Sequence, residues 1–469
     1  MLFNSLTFLV FFVVVFVLHR LIPGWSGKKL LLLVASYIFY AAWNPPYVVV
    51  LWFSTTLDWW LARLVWKSEK PGHRRLLLTM SLAANLALLG FFKYGNFLLE
   101  NAQRLLAVVD FHYAPPSLGI VLPIGISFYT FASLSYTIDV YRKEIKGDAP
   151  YLDYALFVSF FPHLVAGPIV RARQLLPQIK APRSASRDQL GWGLCLVIFG
   201  LAAKTVLADA LFAPVVDEVY AAPAAHNAAY GWAALFGFSG QIYFDFAGYS
   251  LCAIGLALCF GFEFPDNFRQ PYAARSFSDF WRRWHITLST WLRDYLYIPL
   301  GGNRHGETRT YLNLVLTMLI GGLWHGASWM FVLWGGLHGA YLAAERFWRQ
   351  HIRPASMPTT GLVGTLLVFL LVSLTWIPFR AHTPEAAWGE LRAMVRIDAF
   401  TADDAAYMFK IYAGIVAMLA WQWWLRDSSL EERFGALRTP IQAGFLSVCL
   451  VAIFLCSGGD ERAFIYFQF

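Results

Sequence analysis

Apolar runs recur along the chain from Leu2 to Cys456, and most of the lysine and arginine falls in the short loops between them. A helix needs about 20 apolar residues to cross hydrocarbon, and on that ruler the chain holds roughly eleven to thirteen membrane segments. The pattern predicts an all-α, polytopic membrane protein in which full-length helices alternate with interrupted ones. The first run, Leu2 to Leu18, lacks a basic start and a small-residue cleavage site, and Arg20, Lys28 and Lys29 follow it; it reads as a retained span rather than a signal peptide. Loops around Lys67 to Arg75, Arg171 to Arg187, Arg269 to Arg309 and Arg346 to Arg353 mark the cytoplasmic side, which puts the N-terminus outside.

Parity fails at two places. The run Tyr151 to Val170 has Arg142 to Lys146 before it and Arg171 to Arg187 after it, and it is interrupted by Pro162, Gly167 and Pro168. A straight span cannot begin and end on one side, so this segment is expected to enter and return, with its irregular backbone covered by protein or lining a cavity. The run Tyr311 to Ala344 is likewise flanked by Arg304, Arg309 and Arg346. Two short helices meeting near Gly321 to Ser328 would restore parity. Residues 263–309 are too charged to span yet rich in Phe, Trp and Tyr, and are read as interfacial helices on the cytoplasmic face, aromatics in the headgroup layer and arginines toward water or phosphate.

Of 469 residues, 58% are hydrophobic and only 14% charged, the balance of an integral membrane protein. The reading is one membrane-embedded domain over residues 1–469 with no appended soluble catalytic module. The net charge of +8 is accounted for by the basic loops, so nucleic acid is not an expected partner and the lipid bilayer is. Five cysteines lie in apolar segments without CxxC or Cys/His spacing, so no metal site is expected; Cys252 and Cys259 would share a helix face as ordinary packing residues.

The candidate chemistry centres on histidine. His325, in Gly321-Gly322-Leu323-Trp324-His325-Gly326, lies in an apolar run, where an ionisable group marks a functional site by default. A neutral imidazole can take a proton from a hydroxyl; the alternative is a structural histidine bonded between helices. His285, in Trp281-Arg282-Arg283-Trp284-His285, is read as interfacial; with Arg282, Arg283 and Arg293 it could hold the anionic part of a donor, or the arginines could serve only lipid contact and topology. Asp245, in Tyr243 to Ser250, could orient an imidazole or pair with an arginine, its other reading being a structural ion pair. Lys204, near Asp209, is read as snorkelling at a span end. His163 is read as packing within the interrupted segment. On one continuous helix His325 and His338 would face about 220° apart, so they are not paired.

Taken together, Leu122 to Phe131, Phe161 to Pro168, Tyr243 to Ser250, Phe280 to Leu300, Gly301 to Arg304, Gly321 to Gly326 and the terminal Tyr466 to Phe469 resemble the membrane-bound O-acyltransferase family, in its bacterial exopolysaccharide-acetylating branch. The resemblance implies a ring of tilted helices around a thin, tunnelled centre. It makes His325 the catalytic residue and His285 the second signature position, with Trp281, Arg282, Arg283 and Arg293 on the donor side and Asp245, Tyr249 and Trp324 supporting. It further implies a bacterial inner-membrane enzyme with no bound cofactor, moving acetyl from a cytoplasmic thioester such as acetyl-CoA toward alginate, cellulose or a related glycan, with a periplasmic acetyltransferase partner. One departure is visible: branch members often carry an acidic residue and methionine after Gly-Tyr-Ser, where this chain has Leu251 and Cys252, which leaves the glycan open. Two other readings are carried: D-alanyl transfer to a cell-wall polymer, and a transporter with His325 as proton relay.

Overall fold

A computed structural model describes residues 1–111, 119–352, 361–397, 402–457 and 462–465, and every regular element among them is helical. Six helices among the described residues are long and apolar enough to cross a membrane: Tyr47–Lys67, Pro71–Ala107, Arg187–Ala221, Ala228–Cys259, Leu362–Arg380 and Thr439–Cys456; Leu6–Leu21 is a shorter apolar helix. The larger number counted along the sequence includes apolar runs that the chain divides into shorter pieces. Two compact units form, Met1–Leu194 with Ala253–Pro265, and Cys195–Cys252 with Asp266–Phe469.

The first unit contains α1 (Leu6–Leu21), α2 (Trp25–Ala41), α3 (Tyr47–Lys67), α4 (Pro71–Ala107), α5 (Ile126–Tyr141), α6 (Tyr151–Ser159), α7 (Phe161–Leu164) and α8 (Ala172–Lys180). Lipid supplies no hydrophobic drive between helices, so polar contacts hold them together. Ser81 Oγ on α4 donates to Asp58 Oδ1 on α3 at 2.6 Å, and Asn85 Nδ2 donates to both oxygens of that carboxylate at 3.0 and 2.8 Å. Lys29 on α2 pairs with Asp153 on α6.

The run from Tyr151 is interrupted as its prolines suggested: α6 stops, Phe160 turns out of helical geometry, and α7 restarts with Pro162 in its first turn. Every residue from Asp153 to Ala172 is buried, which meets the need of non-helical backbone for protein cover. Ser36 Oγ accepts from Phe161 N at 3.0 Å. Gly125, at φ 78°, packs so closely that an added Cβ would lie 2.6 Å from Leu164 O, so two of the sequence motifs meet through a position only glycine fits. His163 is buried against Phe160 and Phe264 rings, the packing role expected of it.

The second unit takes in most of the remaining helices. Here α9 (Arg187–Ala202) passes through a π-helical stretch, Ala203–Phe212, into α10 (Ala213–Ala221). Then follow α11 (Ala228–Cys259), α12 (Phe277–Trp281), α13 (Ile286–Leu292), α14 (Glu307–His325), α15 (Trp329–Phe347), α16 (Leu362–Arg380), α17 (Pro384–Ala393), α18 (Ala402–Trp424), α19 (Leu430–Gly435) and α20 (Thr439–Cys456). The apolar window of α11 is 78% buried and no residue of α20's window is fully buried, so α11 is a core helix and α20 a peripheral one that packs on Phe199 and Phe434 through Phe445. Cys252 and Cys259 on α11 pack against glycines of α9, Gly200 and Gly193 respectively.

The run Tyr311 to Ala344 is a helical hairpin, as parity required, but its arms are 19 residues each rather than short. The break falls at Gly326 to Ser328, where Gly326 is extended and Ser328 caps α15 by accepting from Met330 N at 3.2 Å. The arms approach through glycine: an added Cβ at Gly322 would lie 2.2 Å from Phe331 O, and one at Gly335 would lie 2.3 Å from Met318 O.

The segment 263–309 corrects its sequence reading. Phe264, Phe280, Trp284 and Trp291 are buried within protein rather than spread in a headgroup layer. Trp284 packs against Phe268, Phe280 and Trp376 with ring centroids 5.1, 5.6 and 5.0 Å away. A large aromatic beside arginine suits either a lipid interface or an interior, and the interior supplies more contact here.

Candidate active site

The second unit gathers three histidines along a file of touching rings. His325, the last residue of α14, is 4% exposed, and its ring centroid lies 5.0 Å from Trp324, 5.0 Å from Trp334 and 5.3 Å from Phe379. Trp324 also meets His285, at 5.9 Å, and Trp334 meets His338, at 4.8 Å. The order His285, Trp324, His325, Trp334, His338 is therefore continuous. His338 was set aside on the assumption of one helix; the break at Gly326 puts the two histidines on opposite arms, both against Trp334. Trp281, from the donor-side set, also lies on His338, at 5.0 Å.

His285 is fully buried, which corrects its placement at the interface. It sits just before α13 in left-handed geometry, φ 41° and ψ 55°, a conformation a histidine holds only when its surroundings impose it. Asn267 does so. Its Oδ1 accepts from Thr287 N at 3.4 Å and Thr287 Oγ1 at 2.8 Å, its Nδ2 donates to Ser250 Oγ at 3.1 Å, and Asn267 O accepts from Ile286 N at 2.9 Å. A backbone N–H can only donate, so the atom facing Thr287 is the amide oxygen, and His285 Nδ1, 3.0 Å from it, must carry the proton. The lone pair is thereby left on Nε2, which is buried without a hydrogen-bond partner. Burial holds this imidazole well below the ordinary histidine pKa, in its neutral form. Asn267 was not singled out in the sequence; a residue that acts by orienting another has no spacing rule to reveal it.

The same logic fixes His338. Thr375 Oγ1 spends its one proton on Val372 O at 2.6 Å, so it accepts from His338 Nε2 at 2.9 Å and leaves Nδ1 as the basic nitrogen of the neutral ring.

The arginines separate from His285. Arg283 is bound to Asp279 at 2.8 Å and to the carbonyls of Arg426 and Arg269, and Arg293 is bound to Asp294 at 2.7 Å. Arg283 is held in a half-buried structural pair, whereas Arg293 and Arg282 are exposed, the latter with Nε on Ser278 O at 3.2 Å.

Among the described residues Asp245 orients no imidazole and pairs with no arginine. It is buried, accepts from Ile465 N at 2.9 Å and is paired with Lys204, which also binds Asp209 at 2.9 Å and Ala463 O at 3.4 Å. Lys204 is buried rather than snorkelling. On an α-helix an i,i+5 pair diverges by about 140°; the π-helical stretch 203–212 brings Lys204 and Asp209 onto one face. This ionic cluster ties down the segment ending at Ile465, whose Phe464 stacks on Tyr249 at 4.8 Å and meets Phe246 at 5.5 Å, and Phe246 in turn stands edge-on to His285 at 4.7 Å. Tyr249 is linked to His285 through the rings of Phe464 and Phe246. The terminal motif Tyr466 to Phe469 lies outside the described residues. No group of three or more His, Cys, Asp or Glu with metal-binding geometry occurs among the described residues.

Comparison with known proteins matches residues 27–378 to MBOAT, the membrane-bound O-acyltransferase family. The chain belongs to that family. It is 42% identical to the probable alginate O-acetylase AlgI of Azotobacter vinelandii, over 86% of this chain and 80% of that one. It is 38% identical to the probable alginate O-acetylase AlgI of Pseudomonas putida over the full length of both. A peptidoglycan O-acetyltransferase of Helicobacter pylori is 35% identical over 100% of this chain and 98% of its own. The protein is accordingly a multi-pass membrane O-acyltransferase of the acetyl-transferring kind, and the transporter reading falls away.

Proposed function

We propose that the protein takes acetyl from a cytoplasmic thioester, acetyl-CoA, and passes it across the bacterial inner membrane to a hydroxyl on the far side, for O-acetylation of an exported glycan such as alginate or cellulose. The observation that carries this reading is the buried contact His285–Trp324–His325, two histidines joined by one indole at the break of a helical hairpin. A thioester is already activated, so the protein must orient the acceptor oxygen, remove its proton and keep water away.

His325 is the base. As the acceptor oxygen bonds to the acyl carbon, its proton passes to the imidazole; collapse of the tetrahedral intermediate breaks the C–S bond, and the departing thiolate recovers the proton. The imidazolium forms at the C-terminal end of α14, where the helix dipole favours positive charge. His285, neutral and held by Asn267 with Nε2 open, assists from the other face of Trp324. Arg282, exposed, meets the phosphates of the donor. The relatives divide between alginate and peptidoglycan in name, and either acceptor is a carbohydrate hydroxyl. The D-alanyl alternative has the weaker kinship, a Bacillus subtilis teichoic acid D-alanyltransferase 26% identical over 51% of this chain.

His325→Ala should lower glycan acetylation by about 10²- to 10⁴-fold, the cost of losing a general base, while membrane abundance stays near wild type. Polymer acetyl content and immunoblots of the same cells read both. Wild-type acetylation in this variant would remove His325 from the mechanism.

A further inference from the structure

Helix α17 with its C-cap turns Ala387, Ala393 and Met394 inward and leaves Glu385 and Arg392 exposed, with one break in the pattern. Trp388 is 57% exposed and Leu391 39% exposed, while Glu390 is 0% exposed. A carboxylate on the inward face of a helix that turns its tryptophan outward violates the usual polar-out pattern, and such violations concentrate at functional sites. Both Glu390 oxygens are buried without a hydrogen-bond partner. The adjoining helix α10 offers a second such atom, the Tyr220 hydroxyl, also buried without a partner and close enough to feel the Glu390 charge. The nearby cation is already committed: Arg380 lies over the Tyr220 ring at 5.5 Å and binds Asp217 at 3.0 Å, a carboxylate it shares with Arg462.

This pair adjoins the histidine file. Phe379, against His325, immediately precedes Arg380 at the end of α16. That end of the hairpin is opposite the arginine-bearing end where α14 begins and α15 finishes, near Arg304, Arg309 and Arg346. Arg380 and Arg462 at the Glu390 end are both taken up by Asp217 and so are not offered to a phosphate-bearing donor. Glu390 therefore stands on the acceptor side.

We propose that Glu390 and Tyr220 form the acceptor subsite and recognise a vicinal diol of a small glycoside or glycan end. Burial pushes the Glu390 carboxyl up to about 8; two O–H donors side by side would hold it as the carboxylate, and a phenol adds one donor or acceptor beside them. The inference rests on the O-acetyl transfer proposed above.

The purified protein would be given acetyl-CoA and three acceptors: methyl α-mannoside, cyclohexanol and N-acetylserinamide. Glu390→Gln and Glu390→Met should raise the KM for the mannoside by about ten- to a hundred-fold, the range for losing a hydrogen bond to a charged group. The KM for cyclohexanol should move far less, and Tyr220→Phe should show a smaller shift of the same kind. Because Glu390 is buried and unpartnered, both Glu390 variants should also melt at higher temperature than wild type, and mannoside should stabilise the wild type but not the variants. A fall in melting temperature with equal loss on all acceptors would make Glu390 structural and overturn the proposal. Selective loss on the serinamide would overturn the diol in favour of a protein acceptor. Wild-type protein that acetylates none of the three fails the proposed function instead, and the mannoside melting shift still reports on Glu390.

Discussion

At single residues the site is governed by where protons are fixed. His285 donates from Nδ1 only because Asn267 turns its oxygen that way. Asn267→Asp keeps an acceptor there, whereas Asn267→Leu takes the acceptor from His285 Nδ1, at about 1–3 kcal/mol for the buried group. Transfer activity should follow the order wild type, Asn267→Asp, Asn267→Leu; equal activity in the two variants would show that the tautomer of His285 is irrelevant. Lys204 presents a different balance, one ammonium against two carboxylates. Lys204→Met leaves the buried Asp245 and the half-buried Asp209 without their cation, which should cost about 3–5 kcal/mol. Adding Asp245→Asn should recover part of that loss, because the variant then buries one charge fewer. Thermal melts of the solubilised single and double variants measure the coupling.

Among the elements, the hairpin of α14 and α15 sets the position of His325. Its arms touch backbone to backbone at Gly322 and Gly335, so a methyl group at either must push them apart. Gly322→Ala should cost about 1–3 kcal/mol of stability, as overpacking does, and more in activity, since Trp334 on one arm touches His325 on the other. A variant that melts lower yet transfers acetyl at the wild-type rate would show that the spacing of the arms does not tune the site. The hairpin itself was legible: charge parity around Tyr311 to Ala344 demanded a return, and glycines marked where it falls. The interruption at Phe160 to Pro162 was legible for the same reason. The π-helical stretch was not, because no local composition signals an i→i+5 turn, and without it Lys204 looked like a surface lysine. His285 misled for a related reason: arginines and tryptophans around it look the same from sequence whether they meet lipid or each other.

For the whole molecule the decisive fact is burial of the reacting groups. His325 is 4% exposed and His285 0% exposed, so under the proposed function the acyl group is handled inside protein, away from bulk water. On that proposal a single hydroxyl compound is the expected acceptor rather than the interior residues of a glycan. The proposed division of labour follows: this chain carries acetyl across the membrane to a small acceptor, and a periplasmic acetyltransferase partner places it along the polymer. Liposomes holding the purified protein, with acetyl-CoA sealed inside, should acetylate a small diol outside and leave added polymer unmodified. Polymer should become acetylated only when the partner is supplied outside, and His325→Ala liposomes should do neither. Radiolabelled acetyl on each product separates these cases. Acetylation of long polymer by this chain alone would mean that the histidine file opens widely enough to admit a glycan strand, and the partner requirement would have to be given up.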